Sequence, residues 1–282
     1  MFSAGPQTRA AHALGKAYRD IVRGFRGEFP NVPDLVAFPR SPEDVDAVLN
    51  WCADGGYATI PYGGGTSVVG GIEPRLPSEY PGVVTIDMRE MDRVLEVDAV
   101  SRAARIQAGA TGPRLEDQLR ERGLTLRHFP QSFEYATLGG WIATRAGGHY
   151  ATVYTHIDDL VESVRAVTLG GDWVSRRLPG SGAGPSPDRM LLGSEGILGV
   201  ITDAWVRVQE RPAHKLSCGV AFADFEAASE AVRELSQSAL FPTNCRLLDA
   251  TEAETTGAGP AGKALLVLGF ESAHHPVGAE ME

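Results

Sequence analysis

The sequence predicts an α+β fold. Three observations carry that reading. Residues 94–97 and 103–107 alternate apolar and polar positions as the two arms of a hairpin would, and so does 201–208. Val45, Val48, Leu49 and Cys52 recur at helical spacing. Strands and helices do not alternate strictly along the chain, so a purely parallel α/β sheet does not fit.

Taken in order, residues 11–25 carry a weak helical pattern, and 34–38 read as a short strand. Ser41-Pro42-Glu43-Asp44 opens a helix: Ser caps the first turn, Pro suits its first position, and the two acids oppose the positive end of the helix dipole. Gly55-Gly56 ends it. Strands are predicted at 57–60 and 83–87, with a glycine-rich loop at 63–71 between them. An amphipathic helix follows over 111–123. Thr137 caps a short helix that starts at Leu138, and Pro212 marks a boundary. Beyond it come a strand at 219–222, a helix at 225–236 capped by Asp224, a strand at 246–248 and a last strand at 264–270. A strand so close to the end of the chain, after a helix, leads us to expect that the sequence stops inside a domain. A complete chain with a small C-terminal lobe is the alternative.

Composition excludes several classes. The 282 residues are 43% hydrophobic and 22% charged, an ordinary globular mix. The net charge is −10 and no basic block occurs, which argues against nucleic acid as a partner. Cys52, Cys218 and Cys245 are far apart and odd in number, so three reduced thiols in a cytoplasmic compartment are expected. No apolar run reaches membrane-spanning length, and the first ten residues show no secretory signal. The histidines show no metal-ligand spacing, so no metal is expected.

The 33 glycines fall in clusters. In PYGGGTSVVGG (61–71) three successive glycines follow a strand. They can turn consecutive N–H groups toward one anion, with the hydroxyls of Thr66 and Ser67 beside them. A Walker A loop needs a lysine that is absent, and the dinucleotide fingerprint needs a glycine where Val68 stands. Taken by itself the loop is either an anion nest or a plain connector. On the nest reading, Gly64→Asp is expected to put a Cβ and a negative charge into the nest. Gly139 and Gly140 each cost about 1 kcal/mol of helix propensity. Either a flat ligand or close packing explains them. The third cluster, GSEGILGVIT (193–202), is a turn running into a strand. It lacks the G-x-S-x-G order of a nucleophile elbow, so Ser194 is a poor hydrolase nucleophile.

The helix opened by Ser41-Pro42, then PYGGGTSVVGG, QAGATGPRLEDQL (107–119), HFPQSFEYATLGGWIATRAGG (128–148) and GSEGILGVIT, in that order, resemble the FAD-binding (PCMH-type) domain of the vanillyl-alcohol oxidase superfamily. Within it they are most similar to the alkyldihydroxyacetonephosphate synthases (alkylglycerone-phosphate synthases) and their bacterial homologues. The resemblance covers roughly 33–270. It implies a two-subdomain FAD-binding fold followed by the start of an α/β cap domain. The expected division is an N-terminal helical segment at 1–32, the FAD-binding domain at 33–212 and a cap or substrate domain from 213 to 282.

The resemblance also implies residue roles. Pro61, Tyr62, Gly63, Gly64, Gly65, Thr66 and Ser67 would hold the pyrophosphate. Gln131, Ser132, Phe133, Glu134, Tyr135, Ala136 and Thr137, with Thr144, Arg145, Ala146 and Gly147, would line the stretch from pyrophosphate to flavin. Glu195, Gly196, Ile197, Leu198, Gly199, Val200 and Ile201 would contact the adenosine half. Some related flavoproteins link FAD to a histidine where Thr66 stands, so non-covalent FAD is expected here. Gln131, Gly147 and Ile197 depart from the animal synthases, which tend to have Asp, Ser and Thr there.

The implied activity is a flavin-dependent exchange of an acyl for an alkyl chain on dihydroxyacetone phosphate, in ether lipid synthesis. A 2-hydroxy-acid oxidoreductase on the same scaffold is the alternative; Arg145-Ala146 and the stretch 150–159 favour the synthase branch. The family's catalytic His-rich motif and Tyr have no counterpart here, and His274-His275 reads as a solvated tail. Arg246 matches an arginine facing the family's active site, where it would grip a substrate phosphate. A structural ion pair with Asp249 is its other reading. The expected partners are a small-molecule or lipid-like substrate and no nucleic acid, with a homodimer left open.

Overall fold

The structure, a computed structural model, describes residues 1–76, 79–150, 156–178 and 184–282. These form two compact units. The first is 1–122, 132–146 and 157–208; the second is 123–131, 147–156 and 209–282.

The first unit begins with β1 (Phe2–Ser3), which pairs antiparallel with β2 (Leu35–Ala37), and two short helices, α1 (Pro6–Ala11) and α2 (Tyr18–Phe25), between them. Residues 1–32 therefore contribute a strand as well as helices. Next comes α3 (Pro42–Gly55). Ser41 is extended (φ −145°) and its Oγ accepts from the Asp44 N–H at 3.2 Å, while Gly56 closes the helix in the left-handed region (φ +67°). Its stripe Val45, Val48, Leu49 and Cys52 is buried as the spacing predicts. The strands β3 (Ala58–Tyr62) and β4 (Val83–Asp87) run parallel to β2, in the order β1-β2-β4-β3. All five residues of β4 are buried, as expected of a parallel strand covered on both faces.

The hairpin β5 (Val94–Asp98) and β6 (Ala103–Gln107) forms as predicted, and α4 (Gly112–Arg120) follows. After β7 (Leu124–Thr125) of the second unit, the chain returns through α5 (Leu138–Thr144), α6 (Ile157–Leu160), β8 (Val161–Thr168), β9 (Gly171–Val174), α7 (Asp188–Leu191) and β10 (Val200–Arg207). Five antiparallel strands make the second sheet, β5-β6-β10-β8-β9, with β10 at its centre. One apolar cluster joins α3, β2 and β4 to Val167 of β8 and Val200 of β10, so α3 is the layer that packs the two sheets together.

The second unit holds the pair β7 with β11 (Gln209–Glu210) and a three-stranded sheet. Its strands are β12 (His214–Phe222), β13 (Asn244–Leu248) and β14 (Ala264–Ser272), accompanied by α8 (Phe225–Gln237) and α9 (Ala250–Thr255). The last strand is central, paired along its length with β12 and along five residues with β13. Leu265 of β14 packs with Leu248 and Ala253. Among the described residues no helix is long and apolar enough to cross a membrane.

Candidate functional site

A cleft of about 360 Å³ opens in the first unit where the ends of three segments meet. One is the loop after β3, the second is α5 with the residues before it, and the third is the turn leading into β10. Loops at the carboxyl ends of parallel strands are where open sheets place ligands, and β3 delivers the glycine loop to such an end.

Local hydrogen bonds hold the walls. Thr137 Oγ1 accepts from the Gly140 N–H at 3.3 Å and caps α5. The N–H groups of Leu138 and Gly139 donate to Ala110 and Ala108, tying the helix start to the segment after β6. Its last turn receives the third wall: Gly193 N–H donates to Ile142 and Glu195 N–H to Ala143. Glu195 takes a left-handed backbone (φ +53°), as does Arg145 at the end of α5 (φ +52°). Non-glycine residues seldom sit there, and both flank the cleft wall.

The structure brings together Pro61, Tyr62, Gly63, Gly64, Gly65, Thr66 and Ser67, then Ser132, Ala136, Thr137, Thr144 and Ala146, and Glu195, Gly196, Gly199, Val200 and Ile201. It does not bring Gln131, Phe133, Glu134, Tyr135, Arg145, Gly147, Ile197 or Leu198 to the lining. Gln131 and Gly147 belong to the second unit. Phe133 stacks on Trp141 with ring centroids 6.3 Å apart. Arg145 reaches Asp158 instead, at 2.7 Å. Arg246 pairs with Glu252 at 2.7 Å and is half exposed; Asp249, the partner expected from sequence, caps α9 with its carboxylate. Of the stretch 150–159, residues 151–155 lie outside the described residues.

Sequence reasoning gave no site role to Val68, Val69, Ile72, Met88, Ala108, Trp141 and Ala143, which also line the cleft; Gly139 and Gly140, read from sequence as meeting either a flat ligand or close packing, are in the lining too. The glycines divide by role. A Cβ on Gly139 would stand 2.7 Å from Ala108 Cβ, so that glycine serves packing. A Cβ on Gly140 would meet only Thr137 Oγ1, at 3.3 Å, so its open side belongs to the cleft. The Gly64 expectation needs correction. Its Cβ would strike the Tyr135 carbonyl and lie 2.8 Å from Ala136 Cα, so a substitution there displaces backbone before it can reach an anion.

Electrostatics of the lining are simple. Among the described residues it holds no Lys, Arg or His, and its ionisable side chains there are Tyr62 and Glu195. Burial raises the Tyr62 phenol and the Glu195 carboxyl above their ordinary values. An anion in this cleft must be met by main-chain N–H groups and hydroxyls. Ser67, one of the lining residues, has a buried Oγ without a hydrogen-bond partner. An unsatisfied buried hydroxyl costs stability unless a ligand completes it. The donor set and this unpaired group fit a pyrophosphate-bearing dinucleotide.

Comparison with known proteins agrees with that chemistry. Residues 33–176 match the model of an FAD binding domain, and 211–281 that of the C-terminal domain of FAD linked oxidases. An alkyldihydroxyacetonephosphate synthase of Dictyostelium discoideum is 39% identical over 255 residues, 90% of this chain and 41% of the relative. A mitochondrial D-lactate dehydrogenase [cytochrome] of Arabidopsis thaliana is 34% identical over 222 residues, 78% of this chain and 38% of the relative. A solved alkyldihydroxyacetonephosphate synthase structure superposes with a TM-score of 0.91 at 34% identity, covering 99% of this chain and 54% of the other. The chain thus spans about 40% of the length of the curated relatives it matches.

Proposed function

The chain belongs to the FAD-binding family whose model it matches over half its length, and from that membership we propose that its cleft holds FAD non-covalently for an alkyldihydroxyacetonephosphate synthase-like reaction. The observation that carries the cofactor part is the buried, unpartnered Ser67 Oγ at the edge of the glycine loop. The loop from Gly63 to Ser67 would take the pyrophosphate on main-chain N–H groups and the hydroxyls of Thr66 and Ser67. Gly140 and Thr144 would border the flavin stretch, and Gly196, Gly199, Val200 and Ile201 the adenosine side. FAD would supply an electron-accepting ring. Thr66 has no nucleophile suited to a flavin linkage, which supports a reversible complex. Trp141 and Met88, both buried in the lining, supply apolar contact that keeps water from the inner wall.

The substrate would be a dihydroxyacetone phosphate ester whose acyl chain is exchanged for an alkyl chain. Arg246 is our candidate for the substrate phosphate, at the cost of its ion pair with Glu252. Three unpaired thiols suit a reducing, cytoplasmic compartment. The similarity to a D-lactate dehydrogenase supports a second reading, oxidation of a 2-hydroxy acid.

Purified chain should show a flavin spectrum, and acid precipitation should leave the yellow colour in the supernatant. Colour that stays with the pellet would overturn the non-covalent assignment. Anaerobic addition of D-lactate separates the two activities: rapid bleaching of the flavin favours the oxidoreductase, and an unbleached flavin the synthase-like reaction.

A further inference from the structure

Residues 1–32 grip the glycine loop from both ends. At its start, Tyr62 packs against the His12 ring with centroids 4.4 Å apart, and its hydroxyl donates to the Ala11 carbonyl at 3.3 Å. His12 is buried and held on both nitrogens. Nδ1 lies 2.7 Å from the Thr8 carbonyl oxygen, and Nε2 lies 2.9 Å from Asp87 Oδ2 at the end of β4. Midway, the Lys16 N–H donates to the Ser67 carbonyl at 2.8 Å, and Gly15 lies so close that a Cβ there would strike that same oxygen. Beyond the glycines, the buried Glu73 carboxylate accepts from Arg23 at 2.7 Å and from Asn31 at 2.9 Å.

These contacts do more than cover a surface. Tyr62 and Ser67 are themselves cleft residues, and each is fixed by an atom from 1–32. A Cβ on Gly65 would strike the Tyr62 hydroxyl, so the glycine turn is moulded on a side chain that His12 positions. Asp87 in turn holds Arg89, whose guanidinium lies 5.5 Å from the centre of the Tyr62 ring.

We propose that residues 1–32 are a clamp that pre-shapes the glycine loop, with His12 and Asp87 as its positioning pair, so that docking of this segment and binding of a dinucleotide pyrophosphate are coupled. The inference rests on the cofactor reading above. Its physical content is reciprocity: whatever factor the docked segment adds to affinity, the bound ligand must return as protection of the docked segment.

The test uses the full chain and FAD. Hydrogen exchange at the Lys16 amide should slow at least tenfold when FAD saturates the protein. Exchange within β12, which has no part in the clamp, should not change. By flavin fluorescence His12→Ala should bind FAD about tenfold more weakly, and His12→Gln, which keeps a donor toward Asp87, should recover part of the loss. Arg23→Gln should weaken binding in the same direction from the far grip. FAD binding with unchanged exchange at Lys16 would overturn the clamp alone, and so would wild-type affinity in His12→Ala. If His12→Ala fails to fold, the wild-type exchange result decides by itself. A wild-type chain without FAD affinity would overturn the cofactor reading and this inference with it.

Discussion

Arg145 stands at the end of α5 in the left-handed region and sets its guanidinium 2.7 Å from Asp158, a carboxylate that Arg189 also approaches at 3.3 Å. The side chain so engaged does not line the cleft. Glycine adopts that backbone without a Cβ penalty. Arg145→Gly should therefore leave FAD affinity within about threefold of wild type. Asp158 is buried but keeps Arg189 at 3.3 Å, and the half-exposed Arg145 guanidinium adds up to about 1 kcal/mol, so stability should change little. Titration of the variant with FAD checks this, and a loss beyond tenfold would return Arg145 to the cofactor.

Gly139 and Gly140 are adjacent yet should respond oppositely. Gly139→Ala overpacks the contact with Ala108, and we expect a loss of about 1–3 kcal/mol in stability. A Cβ on Gly140 meets only the Thr137 hydroxyl, and the rest of the side chain in Gly140→Leu would extend into the cleft. This variant should leave the thermal midpoint close to wild type and abolish FAD retention by filling the cleft. The paired measurements are melting temperature and flavin content.

Ser67→Ala removes a buried hydroxyl that has no partner in the protein. Without ligand, the variant should be as stable as wild type or slightly more so, because an unsatisfied polar group is lost. With FAD it should bind about tenfold more weakly, the loss of one hydrogen bond of about 1.4 kcal/mol. Equal FAD affinity in the two proteins would mean that this hydroxyl plays no part in the site.

Two buried groups contribute to the acid behaviour. Burial pushes the His128 imidazole down to about 4, against an ordinary value of 6.5. Between those values the unfolded chain takes up a proton that the folded chain refuses, so stability falls as the pH drops from 6.5 to 4. Glu73 is held down to about 2 by the Arg23 hydrogen bond, with help from Asn31 and Arg75, and its contribution is lost as the pH falls below 4.5 toward 2. Urea midpoints at pH 7, 5 and 4 should decline steadily in the wild type. His128→Gln should flatten that decline without changing behaviour below pH 4.

The local rules of the sequence predicted individual elements well. Ser41, Thr137 and Asp224 cap the helices they were expected to cap, because a side-chain oxygen one residue ahead of a helix is a purely local device. The cleft was legible as three glycine-bearing segments, since close approach of backbones requires them. What was not legible depends on distant partners. Strand β8 has its valines three apart (Val161, Val164, Val167), a spacing without the two-residue period of a strand, and the packing of Val167 on α3 crosses more than a hundred residues of sequence. Met88, Ala108 and Trp141 read as ordinary core residues until the fold turns them toward the cleft. The service of residues 1–32 to the glycine loop has no local signature either. His12 looks like any histidine until Asp87 is placed beside it.

The walls of the cleft come from residues 61–72, 132–146 and 195–201, far apart in the order of synthesis. At about 5–20 residues per second, a ribosome needs on the order of ten seconds to pass from Ser67 to Ile201. Throughout that interval the glycine loop exists without its opposite walls, and β10 has not yet arrived to close the centre of its sheet. A nascent chain therefore has no complete place for a dinucleotide until the third wall leaves the exit tunnel. Cofactor supply acts on this protein only after its first unit has been synthesised, as a late selector between folded chains and those still exposed to proteolysis.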